Sequence, residues 1–123
     1  MREWLFSLAE AERLLPDDGK DSRFTDAFRH GTMRLGLYAP RGSDSQTPHR
    51  QDELYVVVSG SGRFVKSGEE RSFGPSDVIF VEAGAEHRFV DFTDDFAAWV
   101  IFWGADGGEG SSPGTRAYAE GLE

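Results

Sequence analysis

"TPHRQDELYVVVSGSGRF", Thr47 to Phe64, decides how the rest of the chain is read. Its second half outlines a β-hairpin. Leu54–Val58 is apolar and β-branched, Ser59-Gly60-Ser61-Gly62 supplies a turn, and Arg63–Lys66 returns. Its first half sets a histidine four residues before a glutamate, just where the strand enters the core. On a straight strand rising about 3.3 Å per residue, His49 and Glu53 would stand about 13 Å apart, too far to share one ion. Arg50-Gln51-Asp52 between them is polar and turn-prone, with Asp52 expected to cap the turn. A bend there ends one strand at His49 and starts the next at Glu53, so that both side chains converge. Alternation then places Glu53, Tyr55 and Val57 on one face.

Working outward, the same punctuation recurs. Upstream, "TMRLGLYA" from Thr32 suits a strand, and Pro40–Asp44 is turn chemistry. Phe24–Gly31 reads as an edge strand or as a turn of helix. Residues 7–15, "SLAEAERLL", read as a short helix: Ser7 and Glu10 fit a capping box, Pro16 stops it, and Leu8, Ala11, Leu14 and Leu15 form its apolar face. Downstream, "RSF", "VIFV" (Val78–Val81), "HRFVDF" (His87–Phe92) and "FAAWVIFW" (Phe96–Trp103) alternate with turns. The last is apolar on both sides and should be covered on both. Seven or eight short strands at this spacing predict an antiparallel sandwich or barrel, an all-β fold. The expected division is a helix and lead-in over 1–31, a barrel over 32–103, and a loose Gly/Ser-rich tail over 104–123.

The totals exclude several functions. With no cysteine, disulfides, thiolate metal sites and cysteine nucleophiles are ruled out. Thirteen basic side chains against 22 acidic ones leave a net charge of −9, a poor match to nucleic acid or to an anionic membrane. No apolar stretch nears the roughly 20 residues that span a bilayer. A soluble cytoplasmic protein is the expectation. Gly60-Ser61-Gly62 has the flanks of neither a nucleophile elbow nor a dinucleotide loop.

A second histidine completes the pattern. His87 follows the Ala83-Gly84 turn and opens a strand on which His87, Phe89 and Asp91 should share a face. Two imidazoles and one carboxylate meeting inside a barrel suit a first-row divalent metal, and with open positions they form the two-histidine, one-carboxylate set of non-haem iron oxygenases. His30 is read as a surface residue, and Glu82 and Glu86 as solvated residues at a turn.

These residues resemble the cupin superfamily, small jelly-roll β-barrels. Of its first motif, G-x5-H-x-H-x3–4-E-x6-G, the chain keeps His49, Glu53 and Gly60, with Gly42 one residue out of step and Thr47 in place of the first histidine. Of its second, G-x5-P-x-G-x2-H-x3-N, it keeps Gly84 and His87. Ser76 stands for the leading glycine, Glu82 for the proline and Asp91 for the asparagine. The resemblance implies a jelly-roll barrel in which His49, Glu53 and His87 hold Fe2+, with Mn2+, Ni2+ or Zn2+ as alternatives. Gln46, Thr47 and Gln51 are the candidates for a further ligand. Arg34, Tyr55, Phe80, Phe89 and Trp99 are candidates to line a cavity. It further implies a homodimer acting on a small organic molecule, either as a metal-dependent, dioxygenase-like enzyme or as a non-catalytic binding or sensing barrel, with or without metal.

Overall fold

The structure is a computed structural model and describes residues 3–110 and 114–115. Helix α1 (Leu8–Leu14) begins where Ser7, in extended conformation, accepts the Glu10 backbone N–H on its Oγ at 3.1 Å. It stops at Leu15, which is extended as a residue before proline tends to be. Ala11 is buried, and Leu8 and Leu15 pack beside it. Leu14, expected on the same face, is instead 63% exposed.

Eight strands follow: β1 (Phe24–His30), β2 (Met33–Tyr38), β3 (Asp52–Ser59), β4 (Gly62–Lys66), β5 (Glu69–Phe73), β6 (Val78–Val81), β7 (His87–Val90) and β8 (Ala97–Trp103). They form two antiparallel sheets, β1-β2-β8-β3-β6 and β5-β4-β7, the jelly-roll arrangement expected. The ambiguous segment after Arg23 is an edge strand. It pairs with β2 alone and carries a bulge between Asp26 and Phe28. The β4–β5 hairpin turns on Ser67 and Gly68, both at positive φ (50° and 85°), as a two-residue turn needs if it is to match the twist of its strands. Gly60 lies at φ +81°, and a Cβ there would stand 2.5 Å from the Phe96 Cα.

Register decides which side chains face inward. Tyr55 and Val57 of β3, Ala98 and Val100 of β8, and Tyr38 of β2 meet Phe64, Phe73, Val81, Phe89 and Phe96 in one core between the sheets. Leu37, Ala39 and Ala97 point the other way and pack under Ala11, joined by Trp99. β8 is therefore covered on both faces, by the core and by the helix. Trp99 does not line the interior as expected: its parity is opposite to that of Ala98 and Val100. β7 pairs with β4 on one side. On the other, the Phe89 N–H donates to the buried Asp44 carboxylate at 2.8 Å, a side chain standing in for a ladder partner.

The segment after β8 is tied down at its start. Gly107 N–H donates to Arg50 O at 2.7 Å, and Glu109 N–H to Asp52 Oδ2 at 2.9 Å. Residues 104–110 are thus not loose, while 111–113 and 116–123 lie outside the described residues. Among the described residues no helix is long and apolar enough to cross a membrane.

Candidate metal centre

Glu53 is the second residue of β3 and faces the interior, 1% exposed. His49 reaches it from a loop rather than from a strand end. The chain bends at Arg50-Gln51, and the His49 carbonyl accepts the Gly84 N–H at 2.8 Å, which ties this loop to the turn before β7. Asp52 does not cap its own turn. It is buried, and its carboxylate accepts from Ala83 N–H at 3.0 Å as well as from Glu109 N–H. One aspartate thereby fixes both loops that flank the site. His87 opens β7 and is wholly buried at its side chain.

The three side chains converge. His49 Nε2 lies 2.5 Å from Glu53 Oε1, and His87 Nε2 lies 3.4 Å from the same oxygen. One ligand atom from each falls within 4.8 Å of the others. The rings of His49 and His87 stand 4.9 Å apart. Each Nδ1 faces a backbone carbonyl, Gln51 O at 2.8 Å for His49 and Ala85 O at 2.9 Å for His87. A carbonyl only accepts, so each Nδ1 carries the hydrogen, and a neutral ring turns its Nε2 lone pair toward Glu53. Once both rings are neutral, two lone pairs face one carboxylate, and a cation between them relieves the repulsion; a second proton on a ring does the same by donating to Glu53. The donor set fits a divalent metal.

The charges agree with this geometry. Burial alone would raise Glu53, but hydrogen bonding and charge from His49 and His87 outweigh it and hold the carboxyl below its ordinary range. Burial alone would lower His87, but the Glu53 carboxylate and the Ala85 carbonyl outweigh it and hold the imidazole above its ordinary value. Burial, then the Glu53 charge, keeps Tyr55 neutral well above its usual range. Its O–H donates to Gln46 Oε1 at 2.8 Å, and Gln46 Nε2 donates to Asp44 Oδ2 at 2.9 Å. Tyr38 donates to the other oxygen of Asp44.

The remaining candidates fall in different places. Gln46 is engaged between Tyr55 and Asp44. The Gln51 amide donates to Thr32 O and Gly104 O at 3.0 and 2.9 Å, and Thr47 is exposed. Tyr55 and Phe89 are core residues packed ring to ring, and Tyr55 also borders His87. Arg34 lies over the Phe102 ring at 4.6 Å, and Phe102 meets His49 edge-on at 5.1 Å. Phe80 lies away from His49, Glu53 and His87, on a groove of about 890 Å³ between the edge strands β5 and β6 that includes Phe64, Lys66, Phe73 and Ile79. Asp91 does not share the face of His87 and Phe89. Its φ of +50° ends β7, and its carboxylate turns outward to Arg63. His30 is exposed, as expected, whereas Glu82 is half-buried and paired with Lys66 at 2.9 Å.

Residues 34–103 match the Cupin domain family, more than half of the chain and the whole of the span that carries His49, Glu53 and His87. The chain belongs to the cupin family. An uncharacterized protein of Streptomyces coelicolor, SCO3923, is 34% identical over 104 residues, covering 83% of this cupin and 95% of its relative. Among solved structures, KdgF from Halomonas sp. matches with a TM-score of 0.67 at 18% identity, over 83% of this chain and 94% of that one. A Cupin 2 conserved barrel protein from Salinispora arenicola matches with a TM-score of 0.65 at 21% identity, over 85% and 92%. At such identities these structures establish the shared fold alone.

Two contributors to the cupin site were not visible in sequence. Asp44 sits in "RGSDSQ", which reads as an exposed turn yet delivers a buried carboxylate to three partners. Phe102 carried no signal beyond being aromatic, and only register places it opposite both Arg34 and Glu53.

Proposed function

We propose that this cupin is a metalloprotein whose single divalent ion, Fe2+ first among the candidates, is held by His49, Glu53 and His87, and that it is an enzyme acting on a small organic molecule. The observation that carries the reading is the convergence of one ligand atom each from His49, Glu53 and His87 within 4.8 Å of one another, two of the three side chains being buried. Without a metal that arrangement is held only by a second proton on an imidazole, which is lost as pH rises. Filled by a cation it is satisfied. The two-histidine, one-carboxylate set favours iron over calcium or magnesium, which prefer all-oxygen ligation. A bound ion supplies a Lewis acid or a redox centre at the barrel mouth.

The protein's own residues do the rest. The Gln51 and Ala85 carbonyls fix both imidazole tautomers. Asp52 holds the two flanking loops in register. The aromatic core seals the far side against water. His49, 20% exposed, is the side from which a small molecule approaches. The reading extends to a homodimer joined through the outer face of the large sheet, where Leu54, Phe80 and Ile101 lie side by side, half-exposed and apolar.

Elemental analysis of protein purified without added metal tests the proposal. About one transition-metal ion per chain is expected in the native protein, and none in a folded Glu53→Ala variant. Native protein that takes up no stoichiometric metal even after reconstitution defeats the reading, and the non-catalytic small-molecule barrel then stands in its place.

A further inference from the structure

The inner face of the large sheet carries a cation beside the metal ligands. Arg29 pairs with Arg34 across β1 and β2, Arg34 with Phe102 across β2 and β8, and Phe102 with Glu53 across β8 and β3. Residues directly opposite in an antiparallel ladder share a face, so Arg34, Phe102 and Glu53 form one inward row. Arg34 stands two strand spacings from Glu53, on the order of 10 Å. Its guanidinium lies over the Phe102 ring, which borders His49.

Arg34 is incompletely used by the fold. Its Nε is buried and makes no hydrogen bond among the described residues, although it stands in an ion pair with Asp26. The nearest anion is Asp26, with Oδ1 at 3.3 Å, but that carboxylate is 40% exposed and is shared with Arg29 at 3.0 Å. A guanidinium held over an aromatic ring, with only a half-exposed, shared carboxylate against its Nε, is a fork open to a planar carboxylate. The side chain is 36% exposed, so a ligand can reach it.

We infer that Arg34 is the anchor for a carboxylate of the substrate, which spans from the Arg34–Phe102 stack to the His49–Glu53–His87 centre. The substrate class is thus a small organic acid rather than a neutral molecule. Asp26 marks the chemistry, since a carboxylate of the chain already lies against the fork and a ligand carboxylate would displace it. A phosphate dianion fits less well, because it concentrates two charges at the Arg34 fork beside Asp26, whereas a dicarboxylate presents one there and the other at the metal centre. This inference rests on the metalloprotein reading and refines it.

Calorimetric titration of the metal-loaded protein with malonate, succinate and glutarate, set against succinamide and inorganic phosphate, tests it. The best-fitting dicarboxylate should bind at least about tenfold more tightly than succinamide, as a charge-assisted bidentate pair allows. Arg34→Gln should remove that margin while leaving metal content and succinamide affinity unchanged. Arg29→Gln should narrow it only slightly, by leaving Asp26 to Arg34 alone, and Asp26→Asn should widen it. Equal losses in the two arginine variants would reduce the effect to general charge. Unchanged binding in Arg34→Gln, tighter binding of phosphate, or no binding of any dicarboxylate would each overturn the inference. Should the protein hold no metal, the functional reading fails by itself. Titration of that metal-free protein with propionate then tests Arg34 alone, and equal affinity in native protein and Arg34→Gln refutes the anchor separately.

Discussion

Tyr55 divides the barrel interior into two unlike ends. Beyond it, Phe64, Phe73, Phe89 and Phe96 stack ring on ring, with Phe89 4.6 Å from Phe96 and 4.7 Å from Phe64. Before it, on the same face of the same strand, Glu53 meets two imidazoles. Both ends are buried, but their energetics are opposed. Large aromatic side chains removed from water stabilise a fold. A buried carboxylate between imidazoles does so only when its partners are complete, and an apolar replacement of equal volume would often serve stability better. One strand face therefore carries both the source of stability and the group that draws on it, and the second is explained by function.

The largest effect should come from breaking the aromatic end. Phe89→Ala should cost about 3–5 kcal/mol in denaturant unfolding, as buried aromatic truncations do. Whatever fraction remains folded should keep its metal. Loss of metal at unchanged stability would mean that the two ends are not separable.

The next effect belongs to the polar end and depends on pH. His87 is raised above its ordinary value of 6.5, so in metal-free protein its contribution is complete below that value and is lost as pH rises through the folded one. Glu53 is lowered from its ordinary value of 4.5, so its contribution is complete above that value and is lost as pH falls through the folded one. Metal-free protein should thus be most stable in the window between 4.5 and 6.5. A metal requires unprotonated imidazoles and reverses the trend on the alkaline side. At a hundredfold excess over its dissociation constant it should add about 2.7 kcal/mol above the His87 transition and almost nothing well below it. Thermal melts across pH, with and without Fe2+ under reducing anaerobic conditions, measure both curves. Identical curves would remove the distinction between the ends.

Two smaller changes leave both ends alone. Ser76 sits at φ +73°, a conformation that favours glycine, at the position where the family's second motif has one. Ser76→Gly should stabilise the protein by about 0.5–1 kcal/mol, net of the entropy glycine adds to the unfolded chain. Ser7→Ala should remove the helix cap and cost about 0.5–1 kcal/mol, read as a small drop in denaturation midpoint with no change in metal content. A metal loss in either variant would show that the site responds to general stability rather than to its own residues.

The match between sequence and structure follows from how local each feature is. Strand positions were legible because alternation and turn residues act over a few neighbours: Val78–Val81 and the Ser67-Gly68 hairpin lie where their own residues require. The bend between His49 and Glu53 was legible for the same reason, although His49 proved to stand on a loop held by Gly84. Trp99 was misread because an aromatic residue looks alike on either face of a double-sided strand. Asp52 and Asp44 were misread because polar residues in turns ordinarily meet water, and here distant backbone N–H groups claim them.

The amino-acid sequence by itself determined an all-β sandwich or barrel, the short capped helix, and the two histidines and one glutamate able to share an ion. Each rests on spacing along the chain. Only the tertiary structure decided that Trp99 faces out while Phe89 faces in, that Gln46 and Gln51 are engaged elsewhere, and that Arg34 stands in one row with Glu53. Those outcomes depend on register between strands far apart in sequence, where a shift of one residue sends every side chain to the opposite face.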